Sequence, residues 1–278
     1  MMKTRLKENS NSTKQSSKQV IKAEKKNILA NFFLVIFVGI FLFSSWQVYS
    51  IYKDYKEGKV VYEELSASLV TVVQEEEIEL TYAHYNIDFD SLKDTNSDIV
   101  AWIRFDSPAI ISYPIMDANN NDTYLRTNIY GEYNTAGTLF IEEDNEGDFT
   151  DDNTIIYGHN MMNGTMFGQL SSYKSSTFYE VNPYFYIYTP DQMVRKYLII
   201  GASEISVDDS LYYTTNFSSD TTFQTYISAV LENTTYETVS SISLDSSFVT
   251  LSTCASEDDR RFVVQGMLIE QQAIILVE

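Results

Sequence analysis

Cys254 is the only cysteine in the 278-residue chain. It stands at the end of a strand-like run, Ser247 to Thr253, just before the polar loop Ala255-Ser256-Glu257-Asp258-Asp259-Arg260. A second strand-like run, Arg261 to Ile269, follows at once. Two such runs across a short polar loop predict a β-hairpin. That hairpin would bring a thiol at the end of one strand close to the Arg261 guanidinium at the start of the next. Upstream, Ile155-Ile156-Tyr157-Gly158-His159-Asn160 carries His159, one of two histidines, at the end of another strand-like run. A thiolate can attack a carbonyl and an imidazole can move the protons of that reaction. A guanidinium, permanently charged and presenting a fork of donors, suits an oxyanion or a peptide backbone. Lone thiol, imidazole and guanidinium are together the ingredients of a cysteine transferase or hydrolase. Arg260, beside Asp258 and Asp259, reads instead as a solvated ion pair. His84, in Thr81-Tyr82-Ala83-His84-Tyr85-Asn86, has no motif around it and reads as structural or exposed.

The elements that must position these groups begin after a long N-terminal preamble. Residues 1–27 are polar and basic, with Lys3, Arg5, Lys7, Lys14, Lys18, Lys22, Lys25 and Lys26 against Glu8 and Glu24. They have no apolar face, and a disordered tail is expected there. Ile28 to Trp46 is apolar over nineteen residues, close to the length that spans a bilayer. No small-x-small cleavage site follows it, while Trp46 and Tyr49 suit an interface, so an uncleaved signal anchor is expected over 28–46. The basic flank belongs on the cytoplasmic side and the C-terminal part outside. Eight of the 19 Lys and Arg and two of the 39 Asp and Glu precede the anchor, leaving 11 basic against 37 acidic residues, a formal charge of −26, for the outer part. That sign argues against nucleic acid as a partner and would steer amine-bearing substrates towards the domain. Outside the cytoplasm a single cysteine has no internal partner, so stability must come from the core, and the thiol is either buried as a small hydrophobe or reactive.

Val61, Leu65, Leu69 and Val72 recur at helical spacing, predicting a juxtamembrane helix from Val60 to Leu80 within a segment 47–87. From Asp88 onwards the pattern is of short strands: Ile99–Phe105, Ala109–Tyr113, Thr138–Ile141, Thr154–Tyr157, Tyr184–Tyr188, Met193–Ile205, Phe248–Thr253 and Arg261–Ile269. Many short strands with regular turns predict a mainly β barrel or sandwich over 88–278. One helix interrupts them, with Phe223, Tyr226, Ile227, Val230 and Leu231 on a single apolar face. No glycine-rich phosphate loop and no metal-ligand spacing is present, so neither a cofactor nor a metal is expected.

Thr250-Leu251-Ser252-Thr253-Cys254, the downstream Arg261-Phe262-Val263-Val264 and the upstream Tyr157-Gly158-His159-Asn160-Met161 resemble the class B sortases, membrane-anchored transpeptidases of Gram-positive bacteria. The likeness extends from about Asp88 to Ile269, and the helix ahead of the cysteine strand is a class B feature that the simpler class A members lack. The resemblance implies an eight-stranded sortase barrel with Cys254 as nucleophile, His159 as acid and base, and Arg261 as stabiliser of the oxyanion or substrate. Asn121, Leu125, Tyr212 and Tyr213 match positions that in the family touch the substrate, and Ser252 is a candidate to line the groove. Ala255 departs from members that carry an acidic residue directly after the cysteine. The implied partners are surface proteins with a C-terminal sorting signal, cleaved after threonine and held as a thioester. They would then pass to an amine of the cell wall or of a pilin lysine. Two alternatives use the same residues differently: an extracellular cysteine endopeptidase with water as acceptor, and a non-catalytic surface β-domain with an inert buried cysteine.

Overall fold

The computed structural model describes residues 2–72, 85–105, 111–238, 242–243, 245–254 and 259–274, with side chains from residue 31 onwards except those of residues 72 and 254. The chain divides into two compact units, Met1–Lys53 and Asp54–Glu278. In the first, the backbone is helical from Met2 onwards, as part of helix α1 (Met2–Leu69). The basic stretch expected to lack structure is therefore helical. No glycine or proline occurs before Gly39, and its many Lys, Glu and Gln residues lose little freedom in a helix that the neighbouring apolar run already nucleates. Along that run the large side chains stay exposed, Phe41 at 70% and Trp46 at 63%, and the segment is long and apolar enough to cross a membrane.

In the second unit the remainder of α1 packs on the barrel through Tyr62 and Leu65, both buried. The Tyr62 hydroxyl donates to the Gly137 carbonyl at 3.0 Å. α1 ends at Leu69 rather than at Leu80, because Val70-Thr71-Val72 is a β-branched run that fits a pleated strand better than a helix. These residues form β1 (Val70–Val72), which pairs antiparallel with β2 (Tyr85–Ile87). The rest of the expected helix, and His84, lie outside the described residues. A short helix α2 (Phe89–Thr95) follows, capped by Asp88 Oδ1 accepting the Ser91 N–H at 3.0 Å.

Eight strands close a barrel: β3 (Ile99–Phe105), β4 (Ser112–Met116), β5 (Leu139–Ile141), β6 (Asn153–Tyr157), β7 (Tyr184–Thr189), β8 (Met193–Ser206), β9 (Phe248–Cys254) and β10 (Arg260–Ala273). Their order around the barrel is β10-β8-β7-β3-β4-β5-β6-β9, with β9 paired to β10. β4 begins three residues later than expected, and Ala109 and Ile110 lie outside the described residues. Most pairs are antiparallel, but β4 with β5 and β6 with β9 are parallel. Ile103, Ile156, Leu251, Phe262 and Val264 fill the main core.

Helix α3 (Ser176–Val181) precedes β7, and helix α4 (Asp220–Asn233) precedes β9. Ser219 caps α4 by accepting the Thr222 N–H at 3.3 Å. α4 buries Phe223, Tyr226 and Val230 against Ile200, Phe248 and Val263, while Ile227 and Leu231 at the margin of the expected face stay partly exposed. Tyr226 anchors this packing: its ring lies 5.0 Å from Phe217 and 5.7 Å from Phe248, and its hydroxyl 3.2 Å from Thr250 Oγ1. Tyr226→Ala is expected to destabilise the protein by about 3–5 kcal/mol through the cavity it leaves. Tyr226→Phe, which deletes one hydrogen bond, is expected to cost about 1 kcal/mol. Denaturant unfolding followed by tryptophan fluorescence measures both, and equal costs would contradict this packing.

Candidate active site

Two registers bring the chemistry-bearing segments together. In the parallel pair β6–β9, Tyr157 aligns with Ser252, and the Gly158 N–H extends the ladder by donating to the Ser252 carbonyl at 3.1 Å. In the antiparallel pair β9–β10, Ser252 aligns with Val263 and Cys254 with Arg261. Strand alternation then sorts the side chains. Leu251, Phe262 and Val264 enter the barrel core, whereas Ser252 and Arg261 open on a pocket of about 350 Å³. His159, two residues beyond Tyr157, lines the same pocket. Cys254 belongs to this site by backbone register, opposite Arg261 and two residues beyond Ser252.

His159 Nε2 lies 2.7 Å from the Leu125 carbonyl oxygen. A carbonyl can only accept, so Nε2 carries the hydrogen, and in the neutral ring the lone pair resides on Nδ1. Leu125 ends a short 3₁₀ turn, Thr123–Leu125, that Asn120 Oδ1 organises by accepting the Asp122 and Thr123 N–H groups at 3.0 and 2.9 Å. Gly137 presses directly on this turn. A Cβ there would sit 2.4 Å from the Tyr124 oxygen and 2.7 Å from the Leu125 oxygen, at a φ of +60° that favours glycine.

Part of the pocket wall is aromatic. Tyr157 and Tyr213 stack at 6.2 Å, Phe140 lies 5.4 Å from Tyr157, and the Tyr213 hydroxyl is 3.3 Å from Ser252 Oγ. Burial raises the pKa of both phenols, and for Tyr157 the hydrogen-bonded Glu142 carboxylate raises it further. Arg261 Nη1 donates to the Arg260 carbonyl at 3.1 Å, and its guanidinium supplies positive charge to the pocket wall. Arg260 reaches elsewhere, donating from Nη2 to the Glu204 carbonyl on β8 at 3.0 Å.

Six of the residues singled out in the sequence thus share one pocket: Asn121, Leu125, His159, Tyr213, Ser252 and Arg261. Tyr212 does not. It is buried beneath α4, donates to the Ala229 carbonyl at 3.0 Å and accepts from Asn233 Nδ2 at 2.9 Å. Tyr212 and Tyr213 are neighbours whose side chains leave the chain on different sides, and only the second reaches the pocket. Ala255 lies outside the described residues. Tyr157 lines the pocket although its sequence carried no assigned role; its place two residues before His159 in a strand was the available signal. Phe140, Thr138 and Val207 also line it and had no such signal.

A family model described as Sortase domain matches residues 108–269. The chain is 30% identical over 250 residues to Sortase B of Listeria monocytogenes, covering 88% of this chain and 98% of that protein. The crystal structure of sortase B from B. anthracis in complex with AAEK1 superposes with a TM-score of 0.68 at 30% identity, covering 79% of this chain and 99% of that one. A crystal structure of sortase B complexed with triglycine superposes with a TM-score of 0.61 at 27% identity, covering 66% and 85%. The chain belongs to the sortase family, class B. In this sortase the mainly β, closed eight-stranded barrel expected from the motifs is the observed fold.

The two histidines make the tautomer directly testable. In ¹⁵N-histidine-labelled protein above the ring's pKa, the resonance lost in His159→Gln is expected to report hydrogen on Nε2. A ring protonated on Nδ1 instead would contradict the Leu125 contact.

Proposed function

We propose that this sortase is a single-pass membrane enzyme whose outer domain cleaves a C-terminal sorting signal after threonine and transfers the protein to an amine. The observation that carries the proposal is that Arg261 and His159 line one pocket while Cys254 stands in register opposite Arg261. Cys254 passes its thiol proton to His159 Nδ1, the thiolate attacks the threonine carbonyl, and Arg261 stabilises the oxyanion or holds the substrate backbone. As the C–N bond breaks, His159 gives its Nδ1 proton to the leaving amine, and a thioester remains. The incoming amine attacks that thioester and gives its proton to His159; the C–S bond breaks and the thiolate is regenerated. Asn121, Leu125, Tyr213 and Ser252 contact the signal peptide.

Triglycine bound to a sortase B supports an amine acceptor of the cell-wall or pilin-lysine kind, and the excess of acidic residues suits an amine-bearing partner. Membrane anchoring through 28–46, with 1–27 cytoplasmic and 88–278 outside, is supported by the exposed apolar stretch of α1 and by the eight basic residues ahead of it.

The test is a set of internally quenched peptides centred on a threonine, incubated with the full-length protein with and without triglycine. Mass spectrometry should show peptide fragments joined to triglycine. Hydrolysis products alone, whatever the acceptor concentration, would favour the endopeptidase. Cys254→Ala should abolish turnover, and His159→Ala should come close to doing so. Arg261→Ala is expected to lose on the order of 10²–10³ in turnover, with poor rescue by lysine, which lacks the planar fork. Arg260→Ala should stay within a few-fold of the parent, and a larger loss at Arg260 than at Arg261 would overturn the assignment.

A further inference from the structure

Behind the pocket wall, Glu142 bonds two of the residues that line it. Its side chain accepts a hydrogen bond from Asn121 Nδ2 on Oε1 and one from the Tyr157 hydroxyl on Oε2. Glu142 is not itself part of the lining. It follows directly on β5, and its own N–H donates to the Ile155 carbonyl on β6 at 2.9 Å, so the sheet fixes its backbone. The Asn121 amide is constrained at both ends, because Asn121 Oδ1 accepts the Glu143 N–H at 3.1 Å. The same Glu143 N–H lies 3.0 Å from Glu142 Oε1.

The donor and acceptor inventory of this cluster has a definite remainder. A phenol has one hydrogen, and that of Tyr157 is committed to the carboxylate, so its oxygen can only accept from anything in the pocket. Asn121 has two amide hydrogens, of which one is committed, and it keeps the other as a donor. We propose that Glu142 is a positioning residue for substrate recognition, making the pocket wall an acceptor at Tyr157 beside a donor at Asn121. Such a wall reads an N–H and a carbonyl of a peptide, supplied by its backbone or by a side-chain carboxamide. This rests on the peptide-cleaving role proposed above. The raised pKa of Tyr157, caused by burial and then by Glu142, agrees with a proton that stays in place.

Glu142→Gln should reverse one half of the pattern without removing the cluster. The glutamine oxygen still accepts from Asn121, but its amide now donates to the Tyr157 oxygen, and the phenol hydrogen turns to the pocket. Binding is measured on full-length Cys254→Ala in detergent, with the best-bound peptide of the quenched set. Two probe series are compared with it: single amide-to-ester replacements, which remove one backbone N–H each, and single replacements of carboxamide side chains by alanine.

With Glu142 present, one probe should bind about tenfold more weakly, as for loss of one hydrogen bond. The series in which it occurs identifies the source of the N–H. With Glu142→Gln that discrimination should fall to within about twofold, and Tyr157→Phe, with Glu142 intact, should erase the same discrimination. A role confined to holding the fold would weaken all peptides alike and leave the ratio unchanged, which would overturn the proposal. Cleavage by the parent with an unchanged ratio overturns the role of Glu142 alone. A shifted ratio in a protein that never cleaves the peptides overturns the transpeptidase mechanism alone.

Discussion

The parallel pairing of β6 with β9 is the constraint on which the site depends. Parallel neighbours cannot be joined by a tight turn, and here a long stretch of chain, including β7, β8 and α4, separates them. The pairing is held from both sides. The Ile156–Leu251 register sits in the barrel core, while on the other face Thr250 Oγ1 donates to Asn153 Oδ1 at 2.9 Å and contacts Tyr226 of α4. A one-residue slip would turn Ser252 into the core and Leu251 into the pocket. The helix ahead of the cysteine strand therefore does more than mark a subclass, since its buried tyrosine meets the strand that carries Ser252 and Cys254.

Around that pairing, the polar groups are oriented by acceptors that cannot change role. The Leu125 carbonyl fixes which imidazole nitrogen holds hydrogen, and Gly137 fixes the carbonyl by approaching closer than any side chain would allow. Glu142 does the corresponding work for Asn121 and Tyr157. A peptide entering such a pocket meets groups already aimed, so less ordering is required when it binds. Arg261 contributes positive charge to a domain that is otherwise strongly acidic.

Much of this was legible in the sequence because alternation and turn chemistry are local. The eight strand positions, the hairpin joining Cys254 to Arg261 and the apolar face of α4 follow from residue types at short spacing. The acidic neighbours of Arg260 and the strand beginning at Arg261 already set the two arginines apart, but which face of that strand meets Cys254 rested on family likeness until the β9–β10 register was known. Tyr212 and Tyr213 illustrate where local pattern fails, since they fall in an irregular segment with no period to say which one turns inward. Glu142 gave no signal at all, being one of 39 acidic residues whose importance arises from partners 21 and 15 positions away. α1 ends early against its apolar spacing, because the β-branched run Val70–Val72 favours a strand.

Transpeptidation by this site requires a covalent intermediate on one residue, Cys254. Intact-mass analysis of the full-length protein, mixed with a cleavable peptide in the absence of amine, should show a population heavier by the acyl fragment ending in threonine. Peptide mapping should place that mass on Cys254, and added triglycine should remove it with formation of the ligated product. An adduct on any other residue, or rapid cleavage in which acyl-enzyme is never trapped even by acid quench, would contradict it.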